Sequence, residues 1–425
     1  MLTAPSRLRT TSPANDPLEP SGTRTSKPTW VAASRPSHSA GDRADQRSSS
    51  VIAGSFDCNL VTRAEISCRA CRVRPARRSR TYGCAMRACV LKEAGRIDVE
   101  DVPEPVAGAH DVVLDVAACG VCGSDLASLA AGRTPGQVMG HEFAGTVREV
   151  GRAVTGITPG DRLTGLPIQP CGRCRRCVTA RPHLCDVWAT RSLAFGLPGA
   201  FAERLRIPDA VLGGNVHRLP DGIGFEDGAQ VEPLSVAVHA LRRAAPAAGR
   251  PAVVLGLGPI GLHAAQVLRA AGAHPVFGVE RSAVRRAIGD GLGVHTLDGT
   301  GDVAARIHDE LGGREVDLVV EASGAAPLVS AALDTVRAGG RLVLVALYHR
   351  PLPIELGDVV RREITVTGSA MVSPADFADA IDLIRAGAVA TAGLVTHRYP
   401  LDDVMGAFHA QSDTDNSVKV MIRPA

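Results

Sequence analysis

"PAVVLGLGPIGLHAAQVLRAAG", residues 251–272, decides the fold. A short β-branched run leads into Gly256, Gly258 and Gly261, spaced G-x-G-x-x-G, and an apolar helical pattern follows at once. The motif is weak alone and specific only between a strand and a helix. Gly256 permits the tight turn, Gly258 lets a pyrophosphate approach the backbone, and Gly261 lets the helix pack on the sheet. The helix N-terminus then stabilises the phosphate charge. Nineteen residues beyond Gly261, at the end of the next predicted strand, stands Glu280. A carboxylate there accepts from the adenosine ribose hydroxyls and repels a 2′-phosphate, so NAD is expected over NADP. Arg281 and Arg285 argue the other way, since an arginine near this spot accommodates that phosphate.

Outward from this turn the pattern continues. "HPVFGVE", "VDLVVEASG", "GRLVLVAL" and "EITVTGS" read as strands, with helical segments between and after them. Strand–helix alternation predicts an α/β fold with a doubly wound parallel sheet, a Rossmann domain over residues 236–388. Residues 86–235 differ. "MRACVLKEAGRIDVEDVPEP", "HDVVLDVAACG" and "GTVREVGRAVTGITPGDRL" carry short β-branched runs broken by Gly and Pro, as in a small β-rich barrel. Residues 389–425 are expected to return to that domain. No internal repeat is evident.

"CGRCRRCVTARPHLC" places Cys171, Cys174, Cys177 and Cys185 in a C-x2-C-x2-C-x7-C array. Disulfides suit small secreted chains that lack a core. This chain has 425 residues, 45% of them hydrophobic, and no apolar run resembling a secretory signal or a membrane span. A cytoplasmic, reducing setting and a metal follow. An iron–sulfur cluster is the closer rival, but the ferredoxin run ends in C-x3-C-P, unlike this one. A structural zinc is the favoured reading: four thiolates close the coordination sphere, so such a site pins a lobe and does no chemistry.

Residues 1–85 hold 14 Lys/Arg against 6 Asp/Glu, whereas the whole chain is +3, which leaves −5 on residues 86–425. The folded part therefore offers no basic stripe for nucleic acid. The Ser/Pro/Arg-rich segment 1–85 cannot bury enough apolar surface to offset its ordering entropy, and is expected to be disordered and dispensable. Cys68 and Cys71 within it form a C-x-x-C without a second pair.

"GVCGSD" and "GHEFAGTVREVG" supply further ligand types. Cys122 and His141 suit zinc, and Glu142 and Glu232 are candidate oxygen ligands. Spacing alone makes this set weak.

The ordered series "CGVCGSD", "GHEFAGTVREVGRAV", the four cysteines, "GAFAE", "EPLSVAVHA", "GLGPIG" and "SVKVMI" resembles the zinc-dependent medium-chain alcohol and polyol dehydrogenases, the group of sorbitol, butanediol and threonine dehydrogenases. The resemblance covers residues 86–425. It implies a GroES-like catalytic domain, one catalytic and one structural zinc per subunit, a small-molecule alcohol or ketone substrate, and a homodimer or homotetramer. By the same resemblance Cys122 and His141 bind catalytic zinc, and Glu142 or Glu232 completes or exchanges in the shell. Ser124 takes the alcohol proton, and Lys419 contacts the cofactor pyrophosphate. Relatives often read C-G-S-D-x-H, with that histidine passing the proton to solvent. Here Ala127 stands at its place, which puts the outer relay in question. The expected activity is hydride transfer between an alcohol or polyol and NAD(P). The alternative is a zinc-stabilised nucleotide-binding protein without turnover, which would have no need of Cys122, His141 and Ser124 together.

Overall fold

Short runs such as "RLRI", residues 204–207, bury alternate side chains, Leu205 and Ile207, and leave the arginines toward the surface, the period-two pattern of a sheet with two unlike faces. The computed structural model describes residues 85–424 except 349 and 353. The expectations for residues 1–84, Cys68 and Cys71 included, lie outside the described residues. The described residues open with an antiparallel pair, β1 (Ala85–Glu93) and β2 (Arg96–Pro103). There follow β3 (Val112–Gly120), β4 (Glu142–Val150), β5 (Arg162–Gly165), β6 (Arg204–Ile207) and β7 (Val216–Arg218). The second sheet is built from β8 (Ala252–Leu255), β9 (Val276–Glu280), β10 (His295–Asp298), β11 (Val316–Glu321), β12 (Val336–Leu344) and β13 (Thr365–Gly368). The chain then makes β14 (Val395–Pro400) and β15 (Lys419–Arg423).

These last two strands extend the first sheet, whose order is β14-β15-β3-β4-β5-β7 with β6 on β3. The chain thus comes back to where it started, and β15 lies antiparallel to β3 with Met421 opposite Gly120. The second sheet runs β10-β9-β8-β11-β12-β13, parallel throughout. Its order reverses between β8 and β11, the place where an open parallel sheet takes a ligand. The sequence-predicted α/β class and Rossmann sheet are what the structure shows. Among the described residues no helix is long and apolar enough to cross a membrane.

Helix Val231–Ala244 joins the two halves. Eleven of its fourteen residues are buried, and it packs against helices Pro259–Ala270 and Pro374–Arg385. A polar knot lies in that contact. Asp376, wholly buried, accepts from His239 Nδ1 at 2.8 Å, from Arg242 Nε at 2.7 Å and from Ser373 N at 2.9 Å. From the cysteine loop, the His183 ring meets the His239 ring edge-on with centroids 4.7 Å apart. Burial alone would push the Asp376 carboxyl up, but the hydrogen bonds from His239 and Ser373 outweigh it and hold it at about 2.

A carboxylate depressed in the folded state contributes stability above its unfolded value of about 3.9, and that contribution is lost as pH falls through the folded value. Asp376→Asn is therefore expected to destabilise the protein by about 3 kcal/mol at neutral pH, the scale of breaking a buried ion pair. In urea unfolding, the gap between variant and wild type should be full above about pH 4 and shrink toward pH 2.

Candidate metal and nucleotide sites

Register brings the first donor set together. Antiparallel pairing sets Gly120 of β3 opposite Glu142 of β4. Cys122, two residues past the end of β3, therefore comes beside His141 and Glu142 at the start of β4. Their donor atoms lie within 4.8 Å of one another. A Cβ at position 120 would sit 2.1 Å from Glu142 Oε2, so only glycine leaves room for that carboxylate. Cys122 is also the N-cap of helix Gly123–Ala131.

Asp125, in the third position of that helix and buried, braces two of the three donors. Its Oδ2 accepts from the Cys122 backbone N–H at 3.0 Å, and its Oδ1 lies 3.5 Å from His141 Nδ1. That arrangement leaves Nε2 of His141 for a metal. Burial disfavours charge on the His141 ring, yet Asp125 and the Cys122 sulfur outweigh it and hold the metal-free ring's pKa well above the usual histidine range. Sequence reading passed over Asp125, although the D of "CGSD" was its signal. It also passed over Phe195, whose ring centroid is 5.7 Å from that of His141 and walls one side of the site.

Lys419, which the resemblance assigns to the cofactor pyrophosphate, also meets the donor set: its ammonium is buried and donates to Glu142 Oε2 at 2.6 Å and to the Val121 carbonyl at 3.1 Å. The pairing of β15 with β3 dictates this, because it carries the side chain beneath the start of helix Gly123–Ala131. Burial disfavours the ammonium, and the charges of Glu142 and Cys122 restore it, so its pKa is raised. Glu232 stands in the first turn of helix Val231–Ala244, outside the group of three. Burial pushes its carboxyl up to about 7; Glu142 and Asp125 add to the rise, while His141 and Lys419 oppose it. Ser124 is half-buried in the first turn of helix Gly123–Ala131, and Ala127 lies one turn further on.

The second set is Cys171, Cys174, Cys177 and Cys185, again within 4.8 Å of one another. The closest sulfur pairs are 3.5 Å for Cys174–Cys177 and 4.0 Å for both Cys171–Cys177 and Cys174–Cys185. Thiolates 2.3 Å from a tetrahedral zinc stand about 3.8 Å apart, so the donor set fits that ion. Backbone N–H groups are already aimed at the sulfurs: Cys174 N is 3.4 Å from Cys171 Sγ, and Cys171 N is 3.5 Å from Cys185 Sγ. Backbone donors from Arg173 and Cys174 lower the Cys171 thiol to about 6. All seven described cysteines are free thiols.

At the glycine turn, Gly256 has φ +88°, and a Cβ there would meet Ser323 Cα at 2.8 Å. A Cβ on Gly261 would come within 1.8 Å of the Gly256 carbonyl oxygen, whereas one on Gly258 would meet only Arg285 Nη1, at 3.8 Å. The space in front of Gly258 is thus open, with a guanidinium at its side. Glu280 Oε2 accepts from Leu257 N at 2.9 Å and Oε1 from Arg281 N at 2.7 Å, which ties the acidic residue to the turn. Arg285 Nε donates to the Ser417 carbonyl at 2.8 Å and Nη1 lies 3.8 Å from Glu280 Oε2.

Residues 108–221 match the family described as the alcohol dehydrogenase GroES-like domain, and residues 259–386 match zinc-binding dehydrogenase. The chain is 33% identical over 319 residues to 2-dehydro-3-deoxy-L-galactonate 5-dehydrogenase of Pseudoalteromonas atlantica, covering 74% of this chain and 92% of that one. It belongs to the zinc-dependent medium-chain alcohol and polyol dehydrogenases. Sorbitol dehydrogenase of Halalkalibacterium halodurans is 32% identical over 338 residues, 78% of this chain and 96% of its own. Among solved structures, one described as a zinc-binding dehydrogenase, from Sinorhizobium meliloti 1021 and bound to NADP, superposes with a TM-score of 0.74 at 33% identity. It covers 80% of this chain and 99% of that one. The family supports an NAD(P)-dependent, zinc-dependent oxidoreductase, and the reading without turnover is not favoured.

Asp125→Asn is expected to lower zinc affinity at the Cys122/His141 site about 10- to 100-fold, the usual effect of losing a residue that orients a ligand. Competition with a chromogenic chelator measures it, and the four-cysteine site should be unaffected. An unchanged affinity would make Asp125 only a helix cap.

Proposed function

We propose that this enzyme oxidises a small polyhydroxylated or secondary alcohol with NAD, and reduces the matching ketone in reverse. The convergence of Cys122, His141 and Glu142 at 4.8 Å or less carries the reading. The two curated relatives named above act, by their names, on a sugar-acid derivative and on sorbitol, which supports a hydroxyl-rich substrate. A zinc ion held by Cys122, His141 and a glutamate supplies Lewis-acid polarisation of the alcohol oxygen. The chain's own residues do the rest. Asp125 holds the His141 ring. Lys419 offsets the charge of Glu142, which leaves Glu232 as the second carboxylate within reach of the site's field. Phe195 excludes water from one side. Ser124, two residues on from Cys122 in the same helical turn, takes the alcohol's proton. Ala127 beyond it offers no group to pass the proton on, so water would have to bridge the serine to solvent.

Gly256, Gly258 and Gly261 receive the cofactor pyrophosphate beside Arg285, and Glu280 faces the adenosine ribose. That carboxylate favours NAD, although Arg281 is exposed next to it. The four thiols hold a structural zinc. We place the domain boundaries at 86–235, 236–388 and 389–425. Self-association as a dimer or tetramer is supported by Leu356, Val360 and Val366, exposed on and near the outer strand β13. A cytoplasmic setting is supported by the free thiols.

A screen of polyols, secondary alcohols and hydroxy acids with NAD and NADP, following reduced nicotinamide, identifies the substrate. With it, Ser124→Ala should cost about 10²- to 10⁴-fold in turnover, the range for a general acid–base group, with zinc content unchanged. Intact turnover would put the start of the relay elsewhere, and a higher specificity constant with NADP would reverse the cofactor assignment.

A further inference from the structure

A second carboxylate sits at the sheet's carboxyl edge, on the other side of the glycine turn from Glu280. Glu321 ends β11 and is wholly buried, in register with Leu255 of β8 and with Leu344 of β12. Its Oε1 accepts from Ser323 N at 2.9 Å and from Gly324 N at 3.0 Å. Ser323 is the residue against which Gly256 packs, so the turn closed by Glu321 forms the wall facing the pyrophosphate turn. Glu321 Oε2 is held by the Tyr348 hydroxyl, which donates to it in a short hydrogen bond. Tyr348 follows β12 and is half-buried, while its neighbour Leu347 is 64% exposed.

Direction along the sheet gives this pair a meaning. The inference rests on the cofactor reading above, in which the pyrophosphate lies at Gly258 and the adenosine ribose at Glu280, the end of β9. A dinucleotide laid across the switch point must then carry its other half the opposite way, over the ends of β11 and β12. Glu321 and Tyr348 are the polar pair at that end. We propose that Tyr348 is a positioning residue for the nicotinamide half of the cofactor: anchored by Glu321, its ring forms the wall of the crevice on the β11–β12 side. Burial and the adjacent carboxylate push the phenol's pKa upward, so the hydroxyl stays a donor at working pH. A buried carboxylate that lost this donor would keep an unsatisfied oxygen, and the wall would lose its anchor.

The test compares two ligands that share the adenosine half. Calorimetric titration of the zinc-loaded protein with NADH and with AMP gives both dissociation constants. For Tyr348→Phe, binding of NADH should weaken about tenfold, the scale of one charge-assisted hydrogen bond, while AMP binds as to wild type. Glu321→Gln keeps an acceptor for the turn and exchanges the phenol's bond to a charge for a weaker neutral one, in which the amide N–H donates to the phenol oxygen. It should show a selective loss in the same direction and smaller, which covers the case in which the first variant folds poorly. NADH binding that is unchanged or tighter in both variants overturns the proposal. Equal weakening of NADH and AMP also overturns it, since that is the mark of general loosening. Wild-type protein that binds neither ligand would overturn the cofactor reading itself.

Discussion

The buried pair of Lys419 and Glu142 is the constraint on which the candidate catalytic site depends. Two opposite charges removed from water are costly unless they meet in good geometry, and losing one partner leaves an uncompensated buried charge. The ammonium comes from the first residue of β15, near the end of the chain, and the carboxylate from the first residue of β4. The whole parallel sheet lies between the two partners along the chain, so the pair ties together the two ends of that stretch. It sets β15 against β3, holds Glu142 beside Cys122 and His141, and depends on the missing side chain at Gly120. The β3–β4 register assembles the donor set, and β15 supplies the charge that balances its carboxylate.

A second connection runs from the cysteine lobe to the helix that joins the two halves. Cys177 and Cys185 bracket His183, whose ring packs against His239, and His239 is held by Asp376 of the parallel-sheet half. Helix Val231–Ala244 carries both His239 and, two turns earlier, Glu232. A metal closed on the four thiols would fix a loop that braces the same helix that presents Glu232, and so would order the contact between lobe, barrel and parallel sheet.

Much of this was legible in the sequence, for identifiable reasons. The glycine turn can be read because backbone conformation and close approach demand glycine at fixed offsets. The four cysteines can be read because one ion must be reached from one short loop. The α/β class follows from alternation of period. Cys122, His141 and Glu142 were named as candidates, but spacing could not bring them together. That is done by the β3–β4 register. The contact of Lys419 with Glu142 was not legible, because the two lie 277 residues apart and strand pairing at that range leaves no local pattern. Asp125, Phe195 and Tyr348 were missed for a related reason. Each acts through a neighbour that only the folded chain supplies, and each alone reads as a helix cap or a packed aromatic.

Cys122 with His141 and Glu142, and the four cysteines of residues 171–185, would make two metal sites of opposite character, an open one for chemistry and a closed one for structure. Timed chelation with elemental analysis, activity and circular dichroism followed on the same samples tests it most directly. The account predicts two zinc ions per chain. One should leave early together with all activity and with the secondary structure intact, and the other should leave late together with the fold. A single zinc per chain, iron with sulfide, or activity that survives until the protein unfolds would contradict it.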